Sequence, residues 1–160
     1  MSELLEKILN RENMNKAYKR VKANKGTSGI DEITIDDAYV YIKENWERIR
    51  AEITERKYKP QPVKRVEIPK PNGGTRNLGI PTVMDRIIQQ AMVQVLSPIC
   101  ETFFSDYSYG FRPNRSCEQA INKLLEYIND GYEWIVDIDL EKFFDNVPQD
   151  KLMSYVHIII

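Results

Sequence analysis

Histidine is almost missing from this chain: His157 is the single one in 160 residues. A cluster of imidazoles around a transition metal is therefore excluded, and any metal held here must be held by oxygen. Cysteine is scarce too. Cys100 and Cys117 are too few for a disulfide framework and are read as packing residues. No apolar run approaches the ~18–20 residues of a membrane span, and the opening MSELLEKILN lacks the apolar stretch of a secretory signal. No membrane partner is expected, and the cytoplasm is the expected compartment. There is no repeat and no G-x-x-x-x-G-K-[ST] phosphate loop. An EF-hand loop opening at Asp137 would need Gly at its sixth position and Glu at its twelfth; Lys142 and Pro148 stand there.

What is present is enough for one domain or a piece of a larger one. The chain is 42% hydrophobic and 29% charged, so it can bury a core and stay soluble. Its net charge of −1 conceals two opposed segments. Residues 56–76 hold seven basic side chains (Arg56, Lys57, Lys59, Lys64, Arg65, Lys70, Arg76) against Glu67 alone. Residues 133–150 hold six acids against Lys142 alone. One stretch suits a polyanion and the other a cation, although solvated faces would look the same.

Periodicity predicts one helix over 2–22, with Leu4, Leu5, Ile8 and Leu9 at helical spacing. NKGTSGID, residues 24–31, reads as a loop whose glycines would let backbone pass close to a phosphate chain. Thr34 and Asp37 form a capping pattern before a helix with Ile42, Trp46, Ile49 and Ile53 on one stripe, and Pro60 and Pro62 end it. Loose alternation predicts a strand over 63–68, Asn72-Gly73 a hairpin turn, and RNLGI the returning strand, closed by Pro81. Thr82 and Asp85 repeat the capping pattern ahead of a helix with Ile87, Ile88, Ala91, Met92, Val95 and Leu96 on one face. A loop, 105–115, leads to a third capping pattern, Ser116 and Gln119. The helix there would turn Ile121, Leu124, Leu125 and Ile128 inward and stop at Gly131. A third strand is predicted over EWIVDIDL, and a last helix near Pro148. This order is α+β rather than a regular βαβ alternation.

Four stretches could carry chemistry. In VDIDLEKFFDN, strand alternation would put Val136, Ile138 and Leu140 on one face and Asp137, Asp139 and Glu141 on the other. Such carboxylates suit Mg²⁺ and nucleotidyl transfer, a phosphatase with a D-x-D strand, or a polar sheet face with no metal. Lys70 and Arg76 flank the hairpin tip, where a point charge and a planar fork could grip a triphosphate or simply be solvated. In SYGFRPNRS, Tyr109 and Phe111 alternate with Arg112 and Arg115. That pattern suits stacking and phosphate contact, or a turn with a structural arginine. The glycine loop is the fourth.

Taken in order, NKGTSGID, KYKPQPVKRVEIPKPNGGTRNLGIPTVMDRIIQQAM, LSPICETFF, SYGFRPNRS and DIDLEKFFDNV resemble the reverse transcriptases encoded by group II introns, over nearly the whole chain. The resemblance implies a right-hand polymerase fold, with fingers over 1–115, the start of the palm over 116–160, helices around a β-hairpin, and an incomplete antiparallel palm sheet. It implies that Asp139 is the catalytic metal ligand, joined by the backbone carbonyl of Leu140, and that Mg²⁺ is the cofactor. It implies that Lys70 and Arg76 hold the incoming triphosphate, and that Phe144 packs under the sugar and selects dNTPs. Gly26 and Thr27 of the glycine loop, Lys64 and Arg65, and Arg112 and Arg115 would line the RNA template path or contact intron RNA. The implied partners are group II intron RNA, an RNA template with a DNA primer, and dNTPs.

The chain departs from the family in lacking a later Tyr/Phe-x-Asp-Asp motif, which in the family supplies two further metal-ligand aspartates. Thumb, maturase and endonuclease regions are not evident either. A fragment without polymerase activity of its own is therefore expected. The rival expectation is a non-catalytic module that binds intron RNA or pairs with a second copy as a homodimer.

Overall fold

The computed structural model describes residues 2–140 and 143–160, the side chains of Phe144 and Asp145 excepted. Two compact units divide it, residues 1–97 and 98–160.

The first unit begins with α1 (Glu3–Leu9) and α2 (Arg11–Ala23), where periodicity had suggested one helix. Asn10 is the reason. Its backbone is extended (ψ 138°), and its side chain accepts from the Glu12 N–H at 2.8 Å, capping a second helix instead of continuing the first. Asn13 then clasps the bend, donating to the carbonyls of Ile8 and Ala91 at 2.9 and 3.0 Å. Helix α3 (Ala38–Thr54) and helix α4 (Val83–Glu101) complete the helical layer. Their apolar stripes meet: Ile49, Val83, Ile87 and Ala91 are almost fully buried, with Ala17 and Val21 of α2 and with Ile42, Trp46 and Ile53 packed around them. Met92, expected on that face, is 41% exposed.

Between α3 and α4 the chain forms an antiparallel hairpin, β1 (Lys64–Pro69) and β2 (Thr75–Ile80), paired Lys64 with Ile80 through Pro69 with Thr75. The turn differs from a two-residue Asn-Gly connection. Lys70 accepts from Gly73 N–H and donates to the Gly74 carbonyl, so Pro71 and Asn72 occupy the corners. Gly73 and Gly74 take the positive φ, 86° and 79°. Proline presets the first corner, and the glycines accept a backbone that other residues resist.

Asp85 is the polar centre of this unit. It is 2% exposed. Its carboxylate accepts from Tyr58 Oη at 2.6 Å, Thr82 Oγ1 at 2.7 Å and the Gln61 backbone N–H at 3.1 Å. Its own N–H donates to Thr82 Oγ1 at 3.1 Å. The cap expected at the start of α4 is thus also a tertiary clamp: it holds segment 58–61, which enters the hairpin, against Thr82, which follows it.

The second unit contains α5 (Cys117–Asn129), one short turn α6 (Phe143–Asn146) and α7 (Gln149–Ile159). Ser116 and Gln119 form the expected reciprocal cap, and Gly131 (φ 94°) follows the end of α5. Two expectations fail here. Ile121, Leu124, Leu125 and Ile128 do fall on one stripe of α5, but they are 44–56% exposed rather than buried. No described hydrophobic residue of this unit is buried. Residues 132–140 form no strand: the one ladder among the described residues is that of β1 and β2. A strand exists by exchanging backbone hydrogen bonds with a neighbour, and an apolar stripe is buried only when another layer covers it. Helices with a hairpin keep the chain α+β. No described helix is long and apolar enough to cross a membrane.

Two predictions follow from the clamp. Asp85→Ala leaves three donors without their acceptor and lowers the stability measured by urea unfolding by roughly 2–4 kcal/mol; a loss below about 1 kcal/mol would deny Asp85 this role. Burial, then the hydrogen bond to Asp85, push the Tyr58 hydroxyl above its ordinary pKa. The folded chain holds that proton more tightly than the unfolded chain, so the contribution is complete below about pH 10 and is lost as pH rises beyond it. Urea midpoints should fall less steeply above pH 10 in Tyr58→Phe than in the unaltered chain; equal slopes would refute the assignment.

Candidate functional site

The hairpin carries its cations outward. Lys64, Arg65, Lys70 and Arg76 are all exposed, and none forms an ion pair or side-chain hydrogen bond with a described residue. Residues paired directly across an antiparallel ladder share a face. Arg76, opposite Ile68, therefore lies on the Val66 and Leu78 side, while Arg65, opposite Gly79, lies on the other. Lys70 sits in the turn itself. The base of the ribbon is clamped at Asp85, and its charged tip remains free to meet an anion.

The glycine loop, 24–31, closes on the start of α4. A Cβ on Gly29 would stand 2.6 Å from Thr82 Cα and 2.8 Å from Thr82 N, so no larger residue fits without moving backbone. A Cβ on Gly26 would collide with the Arg86 guanidinium. Arg86 Nη2 donates to the Thr27 carbonyl at 2.5 Å, while its Nε is buried with no partner among the described residues. Gly26 and Thr27, expected at a template path, are thus brought to the same helix end as the hairpin base.

The loop after α4 is organised by Arg112. Its guanidinium donates to Glu101 Oε1 from Nε at 2.9 Å and from Nη2 at 2.7 Å. From Nη1 it reaches the carbonyls of Ser105 and Ser108 at 2.5 and 3.0 Å. The side chain is 6% exposed and lies over the Phe104 ring. Four of its donor directions are spent inside the loop, which is the structural-arginine alternative for this stretch and leaves little of the side chain for a phosphate. Arg115 is less committed. It reaches the Asp106 carbonyl and carboxylate at 3.2 and 3.3 Å, stacks near Tyr109, and is 28% exposed. Phe111 stands wholly in solvent at a positive φ of 56°.

Asp137 and Asp139 are exposed on the irregular 132–140 segment. The Asp139 carboxylate and Leu140 carbonyl are the kind of oxygen Mg²⁺ takes, yet two donors fill a minor part of its octahedron; phosphates, water and other carboxylates would have to supply the rest. Among the described residues no group of three or more His, Cys, Asp or Glu side chains could hold a metal. The Phe144 side chain, expected to select the sugar, lies outside the described residues, as do Glu141, Lys142 and the Asp145 side chain.

Sequence reasoning did not anticipate the tertiary roles of Tyr58, Asp85, Arg86 and Glu101. The Thr82–Asp85 spacing signalled a cap, and nothing in it signalled the third and fourth partners, which lie 24 and 27 residues away. Glu101 stands 11 residues from Arg112 across a loop, where no regular period relates the two.

The family described as Reverse transcriptase (RNA-dependent DNA polymerase) matches residues 68–159. Protein YkfC of Escherichia coli is 36% identical over 98% of this chain and 42% of its own length. The group II intron-encoded protein LtrA of Lactococcus lactis subsp. cremoris is 37% identical over 90% of this chain and 24% of its own. A putative COX1/OXI3 intron 2 protein of Saccharomyces cerevisiae is 35% identical over 88% and 16%. This chain therefore spans less than half the length of each. Matched across more than half of its residues, the chain belongs to the reverse transcriptase family.

Proposed function

We propose that the chain is the fingers (1–115) and the start of the palm (116–160) of an RNA-directed DNA polymerase that also aids splicing of its intron RNA. The observation that carries this reading is the hairpin: Lys70 and Arg76 stand at the tip of a ribbon with no described ion partner, over a base clamped on Asp85. A rigid mount with unpaired cations suits a triphosphate, because the charges need not be freed from internal partners before they bind. Lys64 and Arg65, further from the tip, would contact the RNA template backbone together with Arg115 and the loop at Gly26 and Thr27. Arg112 would act on RNA through the shape of the loop that it braces. Asp139 and the Leu140 carbonyl would hold Mg²⁺, which when bound shields the phosphate charge. Phe144 would pack against the sugar and exclude a 2′-hydroxyl. Partners on this reading are group II intron RNA, an RNA template with a DNA primer, and dNTPs, met in the cytoplasm.

The 160 residues contain no Tyr/Phe-x-Asp-Asp to add to Asp139. Primer extension with the isolated chain, an RNA template, dNTPs and Mg²⁺ should give no product; robust extension would remove the reading of Asp139 as a partial site. Binding of a labelled RNA template–DNA primer duplex should weaken steeply with salt, since each phosphate contact releases a counterion. Lys64→Ala and Arg65→Ala should each reduce the magnitude of the log–log salt slope by about one. Arg112→Ala should weaken binding with the slope unchanged. Affinity that stays constant from 50 to 200 mM salt would sink the nucleic-acid reading, because several phosphate contacts should cost orders of magnitude over about that range.

A further inference from the structure

We infer that Arg86 is a positioning residue that latches the glycine loop to α4 and thereby sets where Gly26 and Thr27 meet a nucleic-acid backbone. The inference rests on the template-path reading of that loop and assigns it a mechanical control.

Two independent contacts fasten the loop. Arg86 Nη2 holds the Thr27 carbonyl at 2.5 Å, a charge-assisted hydrogen bond spanning 59 residues of sequence. Two residues further on, Gly29 backs onto the Pro81–Thr82 backbone at distances that leave no room for a Cβ. Gly26 lies so close to the same guanidinium that a Cβ there would meet Nη1. The loop has no helix or strand of its own, so these contacts decide its path. Two of the three Arg86 nitrogens are withdrawn from a phosphate, and the third, Nη1, lies against Gly26. Its Nε is inaccessible, and its Nη2 is occupied by the loop. Its neighbour Asp85 faces the opposite task, clamping the hairpin entry through Gln61 and Tyr58. Adjacent residues of one helix turn therefore fix the two elements that carry the proposed template and nucleotide contacts, which keeps loop and hairpin in register with each other.

Removing Arg86 also removes a buried donor that has no acceptor among the described residues, so the fold itself should tolerate the change. The test uses the full 160-residue chain, hydrogen exchange, and a labelled RNA template–DNA primer duplex as probe. In Arg86→Ala, amide exchange in 24–31 should accelerate, while protection of the hairpin and α4 stays as it was. Affinity for the duplex should fall about tenfold, equivalent to roughly 1.4 kcal/mol, with the salt slope unchanged. Arg86→Lys, which keeps one donor, should recover part of both effects. Gly29→Ala, which pushes the loop away while Arg86 remains, should reproduce the binding loss. Unchanged loop exchange in Arg86→Ala would overturn the latch. A salt slope smaller by about one would overturn it too, since Arg86 would then be touching phosphate itself. Exchange accelerated throughout residues 1–97 would reduce Arg86 to a general stabiliser and overturn the inference. Failure of the unaltered chain to bind the duplex would instead sink the nucleic-acid reading, recognisable because loop exchange would still respond to Arg86→Ala.

Discussion

A carboxylate taken out of water costs several kcal/mol unless hydrogen bonds replace its hydration, and Asp85 meets that requirement with donors from three separate places. Thr82 belongs to its own helix start, Gln61 to the approach to β1, and Tyr58 to the strap that leaves α3. Satisfying the charge therefore forces these segments together. The hairpin between them has no buried side chain and could not locate itself by packing. Its position is inherited from a buried polar node, with the aliphatic core of Ile49, Val83, Ile87 and Ala91 close by in the same unit.

The arrangement separates rigid base from free tip. A cation that has already paired internally loses much of its value to a ligand, since its partner must first be displaced. Arg112 and Arg76 are chemically identical and have opposite circumstances. Arg112 finds a carboxylate and two carbonyls within the loop and becomes part of its frame. Arg76, paired on the ladder with Ile68, forms no ion pair among the described residues and stays available. Arg86 lies between these cases, one nitrogen committed to Thr27 and another buried without a partner among the described residues. The acceptors that surround an arginine decide its role more than its place in a motif does.

The second unit shows the limit of periodicity. The stripe of Ile121, Leu124, Leu125 and Ile128 states correctly which side chains share a face of α5, whereas the alternation of Val136, Ile138 and Leu140 names a face that only a strand would create. They do not supply the surface against which that face would lie. Ile138 is 80% exposed, although it has the pattern of a central strand. The same reasoning applies to Asp139: its carboxylate is the right chemistry for a divalent cation, and the remaining ligands of an octahedron are not among its described neighbours.

Much of the local structure was legible from residue types. The capping pairs at Thr82–Asp85 and Ser116–Gln119, the hairpin limits and the stop at Gly131 rest on interactions close in sequence, which spacing encodes. The ordered motifs were also enough to place the chain in its family. Asn10 shows where local reading slipped, because a side chain that can cap competes with the helix it interrupts. What only the tertiary structure decided were the partners far along the chain: Tyr58 and Gln61 on Asp85, Thr27 on Arg86, Glu101 on Arg112. Short-range hydrogen bonds follow the period of the backbone and can be read from spacing. Long-range ones depend on which surfaces the core brings within about 3 Å, and a linear pattern carries no measure of that distance.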